Sequence, residues 1–138
     1  MKGGRVTIYT DGAARGNPGP AAAAAVLFDE SGARLEEVAR YLGETTNNVA
    51  EYRALLLGLG RARELEARSV EIVTDSELLA RQWNGEYRVK NKGLRPLYEE
   101  AKACARSFER VEVRHVRRGE NARADAAVNR AIDEKAGA

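Results

Sequence analysis

The stretch Val6-Thr7-Ile8-Tyr9-Thr10-Asp11-Gly12 decides how this chain is read. Its alternation of β-branched and aromatic residues predicts a strand. The strand delivers a carboxylate, Asp11, directly into a glycine, where no side chain obstructs an approaching ligand. A second run, Val70-Glu71-Ile72-Val73-Thr74, ends in Asp75 in the same way. Taken singly, an aspartate at a strand end is ordinarily a cap or turn residue. Two strands of one sheet that both end in aspartate put paired acids at one edge, as a divalent-cation site requires.

Downstream of Asp11, the segment Gly12 to Pro20 contains an Asn-Pro step among glycines and predicts a turn. Residues 21–29 and 34–42 read as two strands joined at Asp29-Glu30-Ser31-Gly32, which with the first strand make an antiparallel meander. The alanine run 21–25 favours helix by propensity, but the stretch between Pro20 and the next turn is too short for one. Thr45-Thr46-Asn47-Asn48 offers cap residues for a helix from Val49 to about Leu65, in which Tyr52, Leu55, Leu59 and Ala62 recur at helical spacing.

The second half alternates. Strand 70–74 leads to a short helix 76–83, a basic loop 84–93 and a helix 94–108 with Pro96 in its first turn. Strand 111–116 then leads to a last helix capped at Asn121. This alternation implies an α/β fold with parallel strands in the second half and helices on both faces of the sheet.

At 138 residues the chain has the size of a single domain, expected to span 1–138. No run reaches the roughly 18 consecutive apolar residues of a membrane span. Met1-Lys2-Gly3-Gly4-Arg5 has no apolar region of signal-peptide length behind it, so export is not expected. The single Cys104 excludes an internal disulfide, suits a reducing cytoplasm, and in its helical setting reads as a buried structural thiol. A net charge of +2 says little about partners, but 18 of the 23 basic residues are Arg, whose fork matches phosphate. Two Phe and one Trp do not advertise base stacking.

Two further acids complete a candidate constellation. Glu51 lies in the first turn of its helix and shares a stripe with Leu55 and Ala62, which tilts its carboxylate toward the sheet. The alternative for Glu51 is a capping box, because Asn48-Val49-Ala50-Glu51 fits that rule equally well. Asp125 falls near the start of the last helix, where the helix dipole alone would favour an acid. Four carboxylates facing one another repel unless cations are bound, and such hard ligands suit Mg²⁺ or Mn²⁺. Two such ions about 4 Å apart can activate water on one side of a phosphodiester and stabilise the leaving oxygen on the other.

The strings Tyr9-Thr10-Asp11-Gly12 with Gly16-Asn17-Pro18-Gly19, then Thr46-Asn47-Asn48-Val49-Ala50-Glu51, Thr74-Asp75-Ser76 and Asn121-Ala122-Arg123-Ala124-Asp125 resemble type 1 ribonuclease H in order and spacing. The resemblance covers nearly the whole chain. It implies a five-stranded mixed sheet, three antiparallel strands followed by two parallel ones, and hydrolysis of the RNA strand of RNA-DNA hybrids to 5′-phosphate and 3′-hydroxyl ends. Asp11, Glu51, Asp75 and Asp125 fall on the family's catalytic, metal-binding carboxylates, with two ions bound when substrate is present. Substrate contacts are expected from Gly12, Arg15, Gly16, Asn17, Asn47, Asn48 and Ser76, whose open backbone can meet 2′-hydroxyls along a minor groove. Thr46 and Asn91 match positions that hold a phosphate of the DNA strand, although Asn91 can equally cap a turn. Removal of primers and hybrids left by replication or transcription is the implied work of a cytoplasmic monomer, with double-stranded RNA left open as a second substrate.

The chain also departs from the family pattern. Glu44 stands where many relatives carry a basic residue near the phosphate pocket, leaving Arg40 or Arg88 to compensate. The long basic insertion of some bacterial members is replaced by a tight loop with Arg88, Lys90 and Lys92, which predicts weaker binding and a shallower salt dependence. The family's loop histidine has no counterpart; Arg117 or Arg118 is the candidate auxiliary in its place. His115 reads as a core or sheet residue beside Val111 and Val113, and Trp83 as core.

Overall fold

The computed structural model describes residues 3–136. Met1 and Lys2, on which the expectation of no export partly rests, lie outside the described residues, as do Gly137 and Ala138. Five strands form one sheet: β1 (Arg5–Ala14), β2 (Gly19–Phe28), β3 (Arg34–Thr45), β4 (Ser69–Thr74) and β5 (Arg110–His115), in the spatial order β3-β2-β1-β4-β5. β1 to β3 pair antiparallel, while β4 runs parallel to β1 and β5 parallel to β4, as the sequence implied. Four helices accompany it: α1 (Asn47–Glu64), α2 (Glu77–Trp83), α3 (Arg95–Ala105) and α4 (Ala122–Ala136), the last preceded by a 3-10 turn at Arg118–Asn121.

The alanine run explains how both faces are covered. Ala25 and Leu27 of β2 join Val6, Ile8, Val70 and Ile72 beneath Leu55 and Leu59 of α1, with α2 and α3 extending the same layer. Ala22 and Ala24 point the other way and meet Ala127, Val128 and Ile132 of α4. A central strand buried on both faces reads as a continuous apolar run, and small side chains let two helices approach it closely. Ala21 to Ala25 are each no more than 1% exposed.

Several boundaries differ from expectation for a common reason. β1 does not end at Asp11 but continues to Ala14, because its ladder with β2 persists to Ala14 opposite Ala21. Its parallel ladder with β4 stops at Thr10 opposite Thr74. Asp11 therefore sits just past the point where β1 loses one neighbour, and the connecting turn shrinks to residues 15–18.

His115 is exposed, contrary to the core reading, because it is the last residue of an edge strand; with Glu77, Arg81, Asn84 and Glu86 it lines a recess of about 180 Å³. Trp83 is core, 7% exposed and edge-on to Tyr98, with the Lys102 ammonium 3.9 Å from its ring centroid. Cys104 is only partly buried and packs against the rim of the core. None of the described helices is long and apolar enough to cross a membrane.

Candidate active site

The site begins with Gly12. A β-carbon there would lie 2.1 Å from the carbonyl oxygen of Ala50, so the glycine serves the close approach of α1 to β1. This corrects the expectation of an open neighbourhood: Gly12 is buried. Its amide donates to Glu51 Oε1 at 2.8 Å. That bond resolves the two readings of Glu51, whose carboxylate reaches across to β1 and not back to its own helix end. The α1 cap is Thr46, whose hydroxyl accepts from Val49 N at 3.3 Å, in place of Asn48.

Asp75 is aimed by the turn that ends β4. The amide of Ser76 donates to Thr74 Oγ1 at 3.0 Å, and Ser76 Oγ caps α2 by accepting from Leu79 N at 3.2 Å. Asn121 stands directly before α4, where the cap is expected, but its Oδ1 accepts no bond from the helix. It is 1% exposed, and its Nδ2 donates to Thr10 O at 2.8 Å, anchoring the 3-10 turn and the start of α4 to β1 beside Asp11.

These devices bring acids from three elements together. Among the described residues, a carboxylate oxygen from each of Asp11, Glu51 and Asp75 lies within 4.8 Å of the others. Asp125 stands outside that trio, its Oδ1 3.5 Å from Arg118 Nη2, yet close enough to act on Asp11. Asp11 is 4% exposed, and burial, then the charges of Asp75 and Asp125, raise its pKa from 3.8 to about 8, with Arg118 opposing. Burial and the charges of Asp11 and Asp75 also push Glu51 well above the usual carboxylate range, against the pull of the Gly12 amide. Asp11 Oδ2 is buried with no hydrogen-bond partner. A buried orphan oxygen amid converging acids costs free energy that a hard cation offsets, so the donor set fits a divalent ion.

The expected substrate residues have assignable places. Asn47 Oδ1 accepts from Ala14 N at 2.8 Å, and Asn47 N donates to Asn17 Oδ1 at 2.9 Å, so both are tied to the β1–β2 turn. Gly16 is exposed on that turn with φ +95°, and Asn48 is exposed at the start of α1. Arg15 turns away to α4, pairing with Asp133 and donating to Asn129 Oδ1 at 3.2 Å. Asn91 Oδ1 accepts from Gly93 N at 2.7 Å and Leu94 N at 3.2 Å, the turn-capping alternative. Arg88 and Lys90 line a cleft of about 600 Å³ with Tyr87, Arg95 and Tyr98. Arg117 precedes the 3-10 turn and is exposed, as is Glu44 on β3. Asp133 and Asn129, which hold Arg15, escaped sequence reading, because pairing across more than a hundred residues leaves no local pattern.

Comparison with known proteins agrees with this geometry. A family model described as reverse transcriptase-like matches residues 9–131. Ribonuclease HI of Halobacterium salinarum is 39% identical over 133 residues, 96% of this chain and 67% of the relative. The crystal structure of RNase H1 from that archaeon superposes with a TM-score of 0.92, covering 95% of this chain and 99% of the other. The N-terminal RNase H domain of a bifunctional protein of Mycobacterium tuberculosis gives a TM-score of 0.93 at 40% identity, with 97% of each chain covered. The chain spans 36% of the length of that whole bifunctional protein. LC11-RNase H1, isolated from compost and solved in complex with an RNA/DNA hybrid, is 42% identical with a TM-score of 0.90 over 94% of this chain and 98% of its own. With the sheet order and acid cluster in hand, these matches settle the lineage: the chain belongs to the type 1 ribonuclease H family.

Proposed function

We propose that this chain, acting as one domain, is an endoribonuclease that hydrolyses the RNA strand of RNA-DNA hybrids, with divalent cations held by Asp11, Glu51 and Asp75 and with Asp125 completing the set. The observation that carries this reading is the convergence of three carboxylates within 4.8 Å around a buried, unpartnered Asp11 oxygen. Mg²⁺ or Mn²⁺ bound there would supply Lewis acidity at the scissile phosphate and a strong nucleophile at neutral pH. The rest falls to the protein. The Gly12 amide holds Glu51 in place, and Asp11, buried beside Asp75 and Asp125, keeps one oxygen without a protein partner for the ion.

Thr46 and Asn91 use acceptor atoms in capping, which leaves the Thr46 hydroxyl proton and Asn91 Nδ2 as donors. Phosphate accepts hydrogen bonds only, so capping and DNA-strand contact are compatible roles. The exposed turn at Gly16 and Asn17, beside Asn48, offers polar groups to the 2′-hydroxyls that distinguish RNA from DNA. Removal of RNA primers and replication-associated hybrids is the work this chemistry suits. The test is cleavage of an end-labelled hybrid with and without Mg²⁺ or Mn²⁺, beside Asp11→Asn and a double-stranded RNA. Metal-dependent cutting to 5′-phosphate ends, abolished in the variant, is expected; binding without cleavage under either metal would overturn the proposal.

A further inference from the structure

The turn between β1 and β2 is fastened on both flanks. It is closed within itself by Arg15 N donating to Pro20 O at 2.8 Å. Toward α1, the bonds from Ala14 N to Asn47 Oδ1 and from Asn47 N to Asn17 Oδ1 tie it to the first residue of the helix that carries Glu51. Toward α4, the Arg15 guanidinium pairs through Nη1 with Asp133 and donates through Nη2 to Asn129 Oδ1. Asp125, Asn129 and Asp133 follow one another at four-residue intervals and so form one stripe along α4. Asn129 Nδ2 closes the stripe by donating to Asp125 O at 3.0 Å. A single turn thus grips both the helix that delivers Glu51 and the helix that delivers Asp125.

We propose that Arg15 is a positioning residue: by holding Asp133 and Asn129 it fixes the rotation of α4 about its axis, and with it the placement of Asp125 beside Asp11. The seam beneath α4 is made of Ala22, Ala24, Ala127, Val128 and Ile132. With few large side chains to interlock, such a seam leaves the angle sensitive to polar contacts at its rim, Arg15 to Asp133 and Asn129 together with Arg130 Nη2 to Glu37 Oε2 at 2.9 Å. The role expected from sequence, a direct substrate contact, fits less well, because both terminal nitrogens of the guanidinium are turned to α4. This inference rests on the nuclease reading for its catalytic consequence, but the clamp itself is independent of it.

Two readouts test it. In the metal-free protein, hydrogen exchange of Arg15→Ala is expected to rise at the amides of residues 122–129 and to stay unchanged in α1, because only the α4 side of the turn is released. In hybrid cleavage, Arg15→Ala and Asp133→Ala are each expected to lower kcat about tenfold with KM unchanged, since a small misplacement of a reacting group is costly. The double variant is expected to be no worse than either single, and Asp133→Asn, which keeps an acceptor oxygen, to recover part of the loss. Exchange in α4 that does not respond to Arg15→Ala overturns the proposal. So does a raised KM with a salt slope reduced by about one in Arg15→Ala while Asp133→Ala is silent, the behaviour of a phosphate contact. Should the unsubstituted protein fail to cut a hybrid, the nuclease reading falls, and the exchange measurement still decides the clamp.

Discussion

Gly12 shows how much one residue's lack of a side chain can decide. A β-carbon at this position would sit 2.1 Å from the Ala50 carbonyl oxygen and 2.5 Å from the Glu51 amide, so α1 would have to move. Gly12→Ala is expected to destabilise the protein by about 3 kcal/mol, at the upper end of overpacking costs, and to misplace Glu51. Gly60, in the interior of α1, has nothing within 4 Å of its would-be β-carbon, so Gly60→Ala is expected to stabilise by about 0.5–1 kcal/mol through helix propensity. Urea unfolding of both variants distinguishes a packing glycine from a dispensable one.

Asp11 carries the second residue-scale expectation. Its pKa in the folded protein is about 8 against an ordinary 3.8, so between those values the folded state holds a proton that the unfolded chain has released. The associated stability is fully present below about pH 4 and is lost as pH rises through about 8. The slope is at most about 1.4 kcal/mol per pH unit for one such group. Denaturant midpoints of the metal-free protein are expected to fall over this range, and Asp11→Asn to flatten the fall and to be at least as stable near pH 8. A marked drop in the variant's melting temperature at that pH would contradict the repulsion on which the site is built.

At the scale of elements, helix and strand identities were legible because periodicity is local, and the five strands with their antiparallel-then-parallel arrangement emerged as expected. The ends were less legible, because partners decide them. β1 outran its expected end since β2 keeps pairing with it, and the cap of α1 moved from Asn48 to Thr46 because two good capping residues stood two positions apart. Asn121, read as a helix cap, spends its amide on anchoring the 3-10 turn to β1, and of the two readings of Asn91 the turn cap into α3 is the one formed, a choice fixed by distant or turn geometry. The four acids stood out through their strand-end and first-turn settings, whereas the clamp from Arg15 to α4 left no trace in local pattern. Thr46→Val is expected to cost about 1 kcal/mol through loss of the α1 cap, measured by urea unfolding, and to leave the sheet unaffected.

For the molecule as a whole, the sheet supplies a rigid platform and the helices bring the chemistry to its edge. β1 contributes Asp11 and the turn after β4 Asp75, α1 contributes Glu51 across the Gly12 contact, and α4 holds Asp125 beside them. The metal-free arrangement stores mutual repulsion, relieved in part by the proton that Asp11 keeps, so cation binding near neutral pH must displace that proton. Calorimetric titration of the metal-free protein with Mn²⁺ at pH 7, repeated in two buffers of different ionisation heat, tests this most directly. Saturable binding with buffer-dependent heat is expected, absent in Asp11→Asn and weakened in Asp75→Asn; heats that are the same in all three proteins would show that these carboxylates do not hold the ion.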